Sequence, residues 1–150
     1  MAIDIPNQEA KVGIPSQWSD TINAPLGALF LSSHPSALTF NHRAAAATAL
    51  SAGTVVGLNA SGQVVAAEKG TPANGEDPAV DGVAAIGVLA IDVTATTSAK
   101  DVPVYRVGHF NIERLTFDDS FATEADKLAA FEGAPSPTQI RLGKPASYTP

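Results

Sequence analysis

The sequence predicts a mainly β fold: a small β-rich core with one short helix towards its C-terminal end, preceded by a long extended N-terminal arm. Three observations predict it. From Ala52 to Phe110, short β-branched runs such as Gly-Thr-Val-Val-Gly-Leu and Gln-Val-Val-Ala-Ala alternate with turn residues. Before that stretch, Pro6, Pro15, Pro25 and Pro35 recur about every ten residues, a spacing that forbids a long helix and breaks any long central strand. After it, one segment carries a helix start and a helix stop in the right order. The 150 residues then divide into an arm over 1–43, a core over 44–133 and a Pro-containing tail over 134–150.

The arm is sparsely charged but not polar. The first fifty residues hold five charged side chains (Asp4, Glu9, Lys11, Asp20 and Arg43) and the remainder nineteen. Ile3, Ile5, Val12, Ile14, Trp18, Ile22, Leu26 and Phe30 punctuate the arm, with Leu29, Leu31, Leu38 and Phe40 following the same trend. This is not the composition of ordinary disorder. A segment of this length reaches ~140 Å when extended and cannot bury such side chains on itself. The expectation is that it buries them on a partner; the alternative is that it wraps its own core. Trp18, the sole tryptophan, has the same two readings: an interface anchor or a plug that pins the arm.

Ala44–Leu50 has high helix propensity but is too short to be stable alone, so either one helical turn or an extended joint fits it. Thr54–Leu58 and Gln63–Ala67 flank the turn formers Asn59-Ala60-Ser61-Gly62 and predict a hairpin. Glu68–Gly82, with Gly70, Pro72, Asn74, Gly75, Pro78 and Gly82, predicts a surface loop. Val83–Val93 is too continuously apolar for a strand with one wet face, so it predicts a central strand in which Gly87 marks a bulge or a close backbone approach. Thr94–Asp101 predicts a polar turn, and Val102–Phe110 a strand with Pro103 at an edge or entry position. Thr123 followed by Asp126 resembles a capping box and opens a helix over Glu124–Glu132, which Gly133 stops and Pro135 and Pro137 keep from continuing. Leu128 and Phe131 share a face that should dock on the sheet, and Ile140 and Leu142 can anchor the tail.

Function classes fall away quickly. A net charge of −6 with scattered Lys and Arg argues against nucleic acid as a direct partner. Apolar runs such as Val83–Ile91 fall short of the ~20 residues that span a bilayer, and the start Met-Ala-Ile-Asp-Ile-Pro-Asn lacks the basic and apolar regions of a secretory signal, so a soluble protein is expected with no membrane partner. The absence of cysteine removes disulfides, thiolate metal sites and a Cys nucleophile, and fits a reducing cytosol or a particle stabilised by assembly.

No catalytic, cofactor or metal site is assigned. His34 and His42 lie eight residues apart in the arm without the cluster that zinc needs. His109 at a strand end would need a converging nucleophile or carboxylate, with Asp92 or Asp118 as the candidates for a small hydrolase or lyase. Asp118-Asp119 and Glu76-Asp77 match no EF-hand loop; the first pair reads as turn and capping oxygens, the second as solvated loop. Phosphate-cradling glycine loops and the nucleophile-elbow pattern are missing.

The order Ala-Gly-Thr-Val-Val-Gly-Leu, hairpin, Gln-Val-Val-Ala-Ala, acidic Gly/Pro loop, Ala-Ile-Gly-Val-Leu-Ala-Ile-Asp-Val, then Asp-Val-Pro-Val-Tyr-Arg-Val-Gly-His-Phe-Asn and the helix Thr-Glu-Ala-Asp-Lys-Leu-Ala-Ala-Phe resembles the lambda-type bacteriophage head decoration proteins over roughly Leu50–Gly133. The resemblance implies a small barrel- or tulip-like β domain that forms a homotrimer on the outer surface of an expanded icosahedral head. There it would act as a structural cement against packaged-DNA pressure, made in the host bacterial cytoplasm and carried on the virion. It also implies that the arm contacts the major capsid protein, which makes Ile3, Ile5, Val12, Ile14, Trp18, Ile22, Leu26 and Phe30 the expected capsid-binding side chains. The arm is longer and more apolar here than in the family, which favours a more extensive contact. The competing readings are another virion component, such as a tail or adaptor module, and the small hydrolase or lyase.

Overall fold

Two consecutive valines show how the chain is layered. In a strand, neighbouring side chains point to opposite faces, and Val55 and Val56, both fully buried, enter two different hydrophobic clusters. Val88 and Leu89 repeat the pattern, as do Val104 and Tyr105. The sheet therefore carries an apolar layer on each face, which is why its sequence reads as continuous rather than alternating hydrophobicity.

The computed structural model describes residues 28–71 and 79–145. The arm positions Ile3 to Leu26, Trp18 among them, and the Glu76-Asp77 pair lie outside the described residues. The strands are β1 (Leu38–Ala44), β2 (Val55–Leu58), β3 (Val64–Ala66), β4 (Ala85–Leu89), β5 (Lys100–Asn111) and β6 (Gln139–Gly143). A 3-10 turn spans Ile112–Arg114 and the helix α1 spans Glu124–Leu128. The sheet runs β1-β3-β2-β4-β5 and closes through β1–β5, giving a five-stranded barrel with β6 added in parallel to β5.

One cluster (Ala44, Val56, Val64, Leu89, Val93, Val102 and Val104) belongs to the inner face, and the other lies on the outer face of β2, β4 and β5. The outer cluster is covered by chain that the barrel itself does not use: Leu29 and Phe30 before β1, Phe117 and Phe121 after the 3-10 turn, Phe131 after α1, and Ile140 and Leu142 of β6. The expected tail anchors thus belong to a strand.

The hairpin forms as predicted, with Val56 opposite Ala66 and Leu58 opposite Val64. The Asn59 side chain accepts from the N–H groups of Ser61 and Gln63, both at 2.9 Å, which fixes the turn. β4 is buried along its whole length between β2 and β5. Gly87 marks a close approach: a Cβ there would sit 2.4 Å from Val104 Cγ1 and 2.5 Å from the Tyr105 carbonyl oxygen. Pro103 lies one residue past the last β4–β5 pair, Leu89–Val104, so its missing N–H falls where that ladder ends. The described stems of the 68–82 loop stay paired, Glu68 with Val83 and Thr71 with Val80.

Two expectations need correction, and one open choice is decided. The core begins at Leu38 rather than at residue 44, because Leu38–Ala44 pairs antiparallel with β5 from Val107 to Lys100. The last six residues assigned to the arm are therefore barrel wall. Ala44–Leu50 contains no helix; it ends β1, turns through Ala46-Ala47 and rejoins the sheet at the Leu50–Val93 bridge. The helix is shorter than predicted. Its capping box is complete, but regular helix ends at Leu128 and the chain turns to Gly133, whose φ of +74° suits a C-terminal stop. Because Phe131 lies in that turn, the three-residue spacing no longer puts it on one face with Leu128. Phe131 packs into the outer cluster, while Leu128 remains 43% exposed.

Candidate interaction surface

β1 is the least covered strand of the barrel. One side pairs with β5 from Leu38 to Ala44, but the other meets β3 only at Ala44–Val64, since β3 is three residues long. Among the described residues, the second edge of Leu38–Arg43 has no strand against it. Alternation places Leu38, Phe40, His42 and Ala44 on one face, with Ala44 buried in the barrel and the face emerging along the strand until Phe40 is 41% and Leu38 53% exposed. An uncovered edge without proline or charge before Arg43, beside two exposed apolar side chains, is suited to accept an extended partner segment. The sequence signal was present in Leu-Thr-Phe-Asn-His, a period-two pattern hidden by its closeness to Pro35.

Upstream, the chain reaches the barrel by a second antiparallel contact. Leu31 N–H donates to the His109 carbonyl and Asn111 N–H to the Leu29 carbonyl, both at 2.9 Å. Phe30, grouped above with the partner-facing side chains, packs against Tyr105 (centroids 5.3 Å apart) and Phe110 (4.8 Å) of its own wall. The other seven expected capsid-binding residues lie outside the described residues.

The titratable side chains do not converge on chemistry. His109 Nδ1 lies 3.3 Å from Ser32 Oγ, whereas Asp92 accepts from the Ala52 N–H and Asp118 from the Ser120 N–H. The Ser120 backbone bond, followed by the Ser120 hydroxyl, holds the Asp118 carboxyl below its usual range. These aspartates act as turn acceptors, as the sequence suggested for Asp118. Among the described residues no group of three His, Cys, Asp or Glu could hold a metal. An open cleft of about 550 Å³ is lined by His34, Pro35, Gln139, Ile140 and Arg141.

One buried polar cluster escaped the sequence reading. Arg106 is only 6% exposed, and its guanidinium contacts His42 Nε2 at 3.2 Å, Thr138 Oγ1 at 2.9 Å and the Pro135 carbonyl at 3.2 Å. Thr138 in turn donates to the Ile86 carbonyl at 2.8 Å. The cluster ties β1, β5, β4 and the turn before β6 together. Burial, then the neighbouring Arg106 charge, lowers the His42 pKa, and burial lowers that of Arg106. Nothing in Tyr-Arg-Val distinguishes a buried arginine from an outward one, so this site was not legible.

A family model described as bacteriophage lambda head decoration protein D matches residues 21–136, which include β1 to β5 and α1. No curated protein matches the chain.

Proposed function

From the premise that the chain belongs to the bacteriophage lambda head decoration protein D family, we propose that it binds the outside of an expanded icosahedral phage head as a homotrimer and cements it against the pressure of packaged DNA. As a family member it is a structural, non-enzymatic protein of the virion capsid. The family match over 116 consecutive positions, 21–136, is the observation that carries this reading.

The major capsid protein is the partner in this proposal, and the virion's outer surface is the site of action after synthesis in the host bacterial cytoplasm. The arm side chains Ile3, Ile5, Val12, Ile14, Trp18, Ile22 and Leu26 fill pockets on the shell, and the arm's backbone adds to a capsid strand. Phe30 marks where the chain rejoins its own wall. Three arms on one trimer engage neighbouring capsomers together, so modest single contacts multiply into tight binding. The side-chain-filled barrel supports this reading as a rigid platform that fixes the spacing of the arms.

The test is mass measurement of the free protein followed by co-sedimentation with expanded heads. A trimer mass, head binding by the full chain, and loss of binding in Trp18→Ala and in a form lacking residues 1–27 are expected. Removing 1–43 would be uninformative, since it deletes most of β1. Unchanged occupancy by the 1–27 deletion would refute the arm's role. Cryo-electron microscopy density confined to the tail would favour an adaptor instead.

A further inference from the structure

We propose that the His42–Arg106 contact is an acid-sensitive latch, holding β1 and the 135–138 turn to the barrel wall only while the imidazole is neutral. A guanidinium has donors but no acceptor. His42 can therefore hold Arg106 at 3.2 Å only by offering an unprotonated Nε2, with its proton on Nδ1. Protonation would turn that acceptor into a donor and set two cations face to face.

The surroundings give that repulsion no relief. Among the described residues no carboxylate lies within 4.0 Å of Arg106; its other partners are a hydroxyl and a carbonyl. The turn Pro-Ser-Pro-Thr at 135–138, β4 (Ala-Ile-Gly-Val-Leu) and β3 (Val-Val-Ala) carry no titratable side chain. On β1 and β5, Arg43 and Asp101 pair with each other at 3.8 Å on the exposed surface. Lys100 is exposed at the start of β5, Tyr105 packs in the outer cluster and His109 lies beside Ser32. Arg106 is thus the charge that His42 meets.

The sign follows from linkage. The folded state lowers the His42 pKa, so the unfolded chain takes up the proton first as pH falls. The latch's stabilisation is whole above the ordinary histidine range, declines as pH drops through it, and levels off once folded His42 is also protonated. What loosens is specific: the strand with the uncovered edge that follows the arm, and the entry to β6.

The experiment is performed on the full chain. Imidazole NMR should show His42 as the Nδ1–H tautomer near neutrality, titrating below the ordinary histidine range. Amide-exchange protection of Phe40–His42 and of Thr138–Ile140 should fall about tenfold across the same interval. His42→Gln, whose amide oxygen can still accept from Arg106 but does not titrate, should flatten that fall. His34→Gln and His109→Gln should not. An Nε2–H tautomer at neutral pH, titration of His42 in the ordinary range, or an undiminished fall in His42→Gln would overturn the proposal. Should His42→Gln fail to fold, the wild-type tautomer and the agreement of the two midpoints decide, and a mismatch refutes the latch.

Discussion

Phe30 and Phe110 face each other across an antiparallel bridge, with ring centroids 4.8 Å apart and planes tilted by 42°. Phe110 is fully buried, and Phe30 covers it together with Tyr105. Phe30→Ala is expected to cost about 1–3 kcal/mol, less than a fully buried phenylalanine because Phe30 is only half-buried. Denaturant unfolding measures it. Phe30→Leu should recover most of the loss, and a variant as stable as wild type would show that this contact does not hold the chain to the wall.

Gly87 tests the closeness of β4 to β5. A methyl group there has no room, with Val104 Cγ1 and the Tyr105 carbonyl inside 3 Å of its position. Gly87→Ala should destabilise by about 1–3 kcal/mol despite alanine's lower backbone entropy cost. Gly87→Ala with Val104→Ala relieves only the side-chain half of the clash, so a double-mutant cycle should show partial, not full, compensation.

Leu128 and Phe131 should separate sharply. Leu128→Ala is expected to change stability by no more than about 0.5 kcal/mol, the range of exposed sites away from special features. Phe131→Ala, which opens the outer cluster, should cost about 2–4 kcal/mol. Thermal melts of the pair decide whether the outer layer is fastened by the helix or by the turn that follows it.

Thr123 and Asp126 bond reciprocally: Thr123 Oγ1 accepts from Asp126 N–H at 3.1 Å, and the Asp126 carboxylate accepts from Thr123 N–H at 3.2 Å. Thr123→Ala should cost about 1 kcal/mol, or roughly 2–4 °C in Tm. The Lys69 ammonium, and then the Thr123 bonds, hold the Asp126 carboxyl below its usual range. Its contribution is therefore present above the ordinary carboxylate pKa and is lost as pH falls through the folded value. This acid loss lies well below the histidine range, and Asp126→Asn should diminish it without altering the response assigned to His42.

Most of the barrel was legible because its signals are local. Asn59-Ala60-Ser61-Gly62 states its own turn, Thr123 and Asp126 state their own cap, and the apolar run at 83–93 states burial on two faces. What was missed depends on distant partners. Leu38–Ala44 becomes a strand through β5, some sixty residues later; the barrel itself was expected through the family resemblance, and it closes through that pairing. Arg106 turns inward because Thr138, Pro135 and His42 arrive from three other segments. The helix boundary was lost for a subtler reason: Ala129-Ala130-Phe131 favours helix locally, while the outer cluster draws Phe131 into a turn.

β5 is the strand on which β1, β4, β6 and the Leu29–Leu31 segment all converge. During translation, β1 cannot meet its long partner, nor β4 its second neighbour, until residues 100–111 have left the ribosome. Before that, β2, β3 and β4 have only one another to pair with, and β1 waits for its partner. Closure joins segments some sixty residues apart, a pairing of high contact order, which makes it the expected slow step of folding.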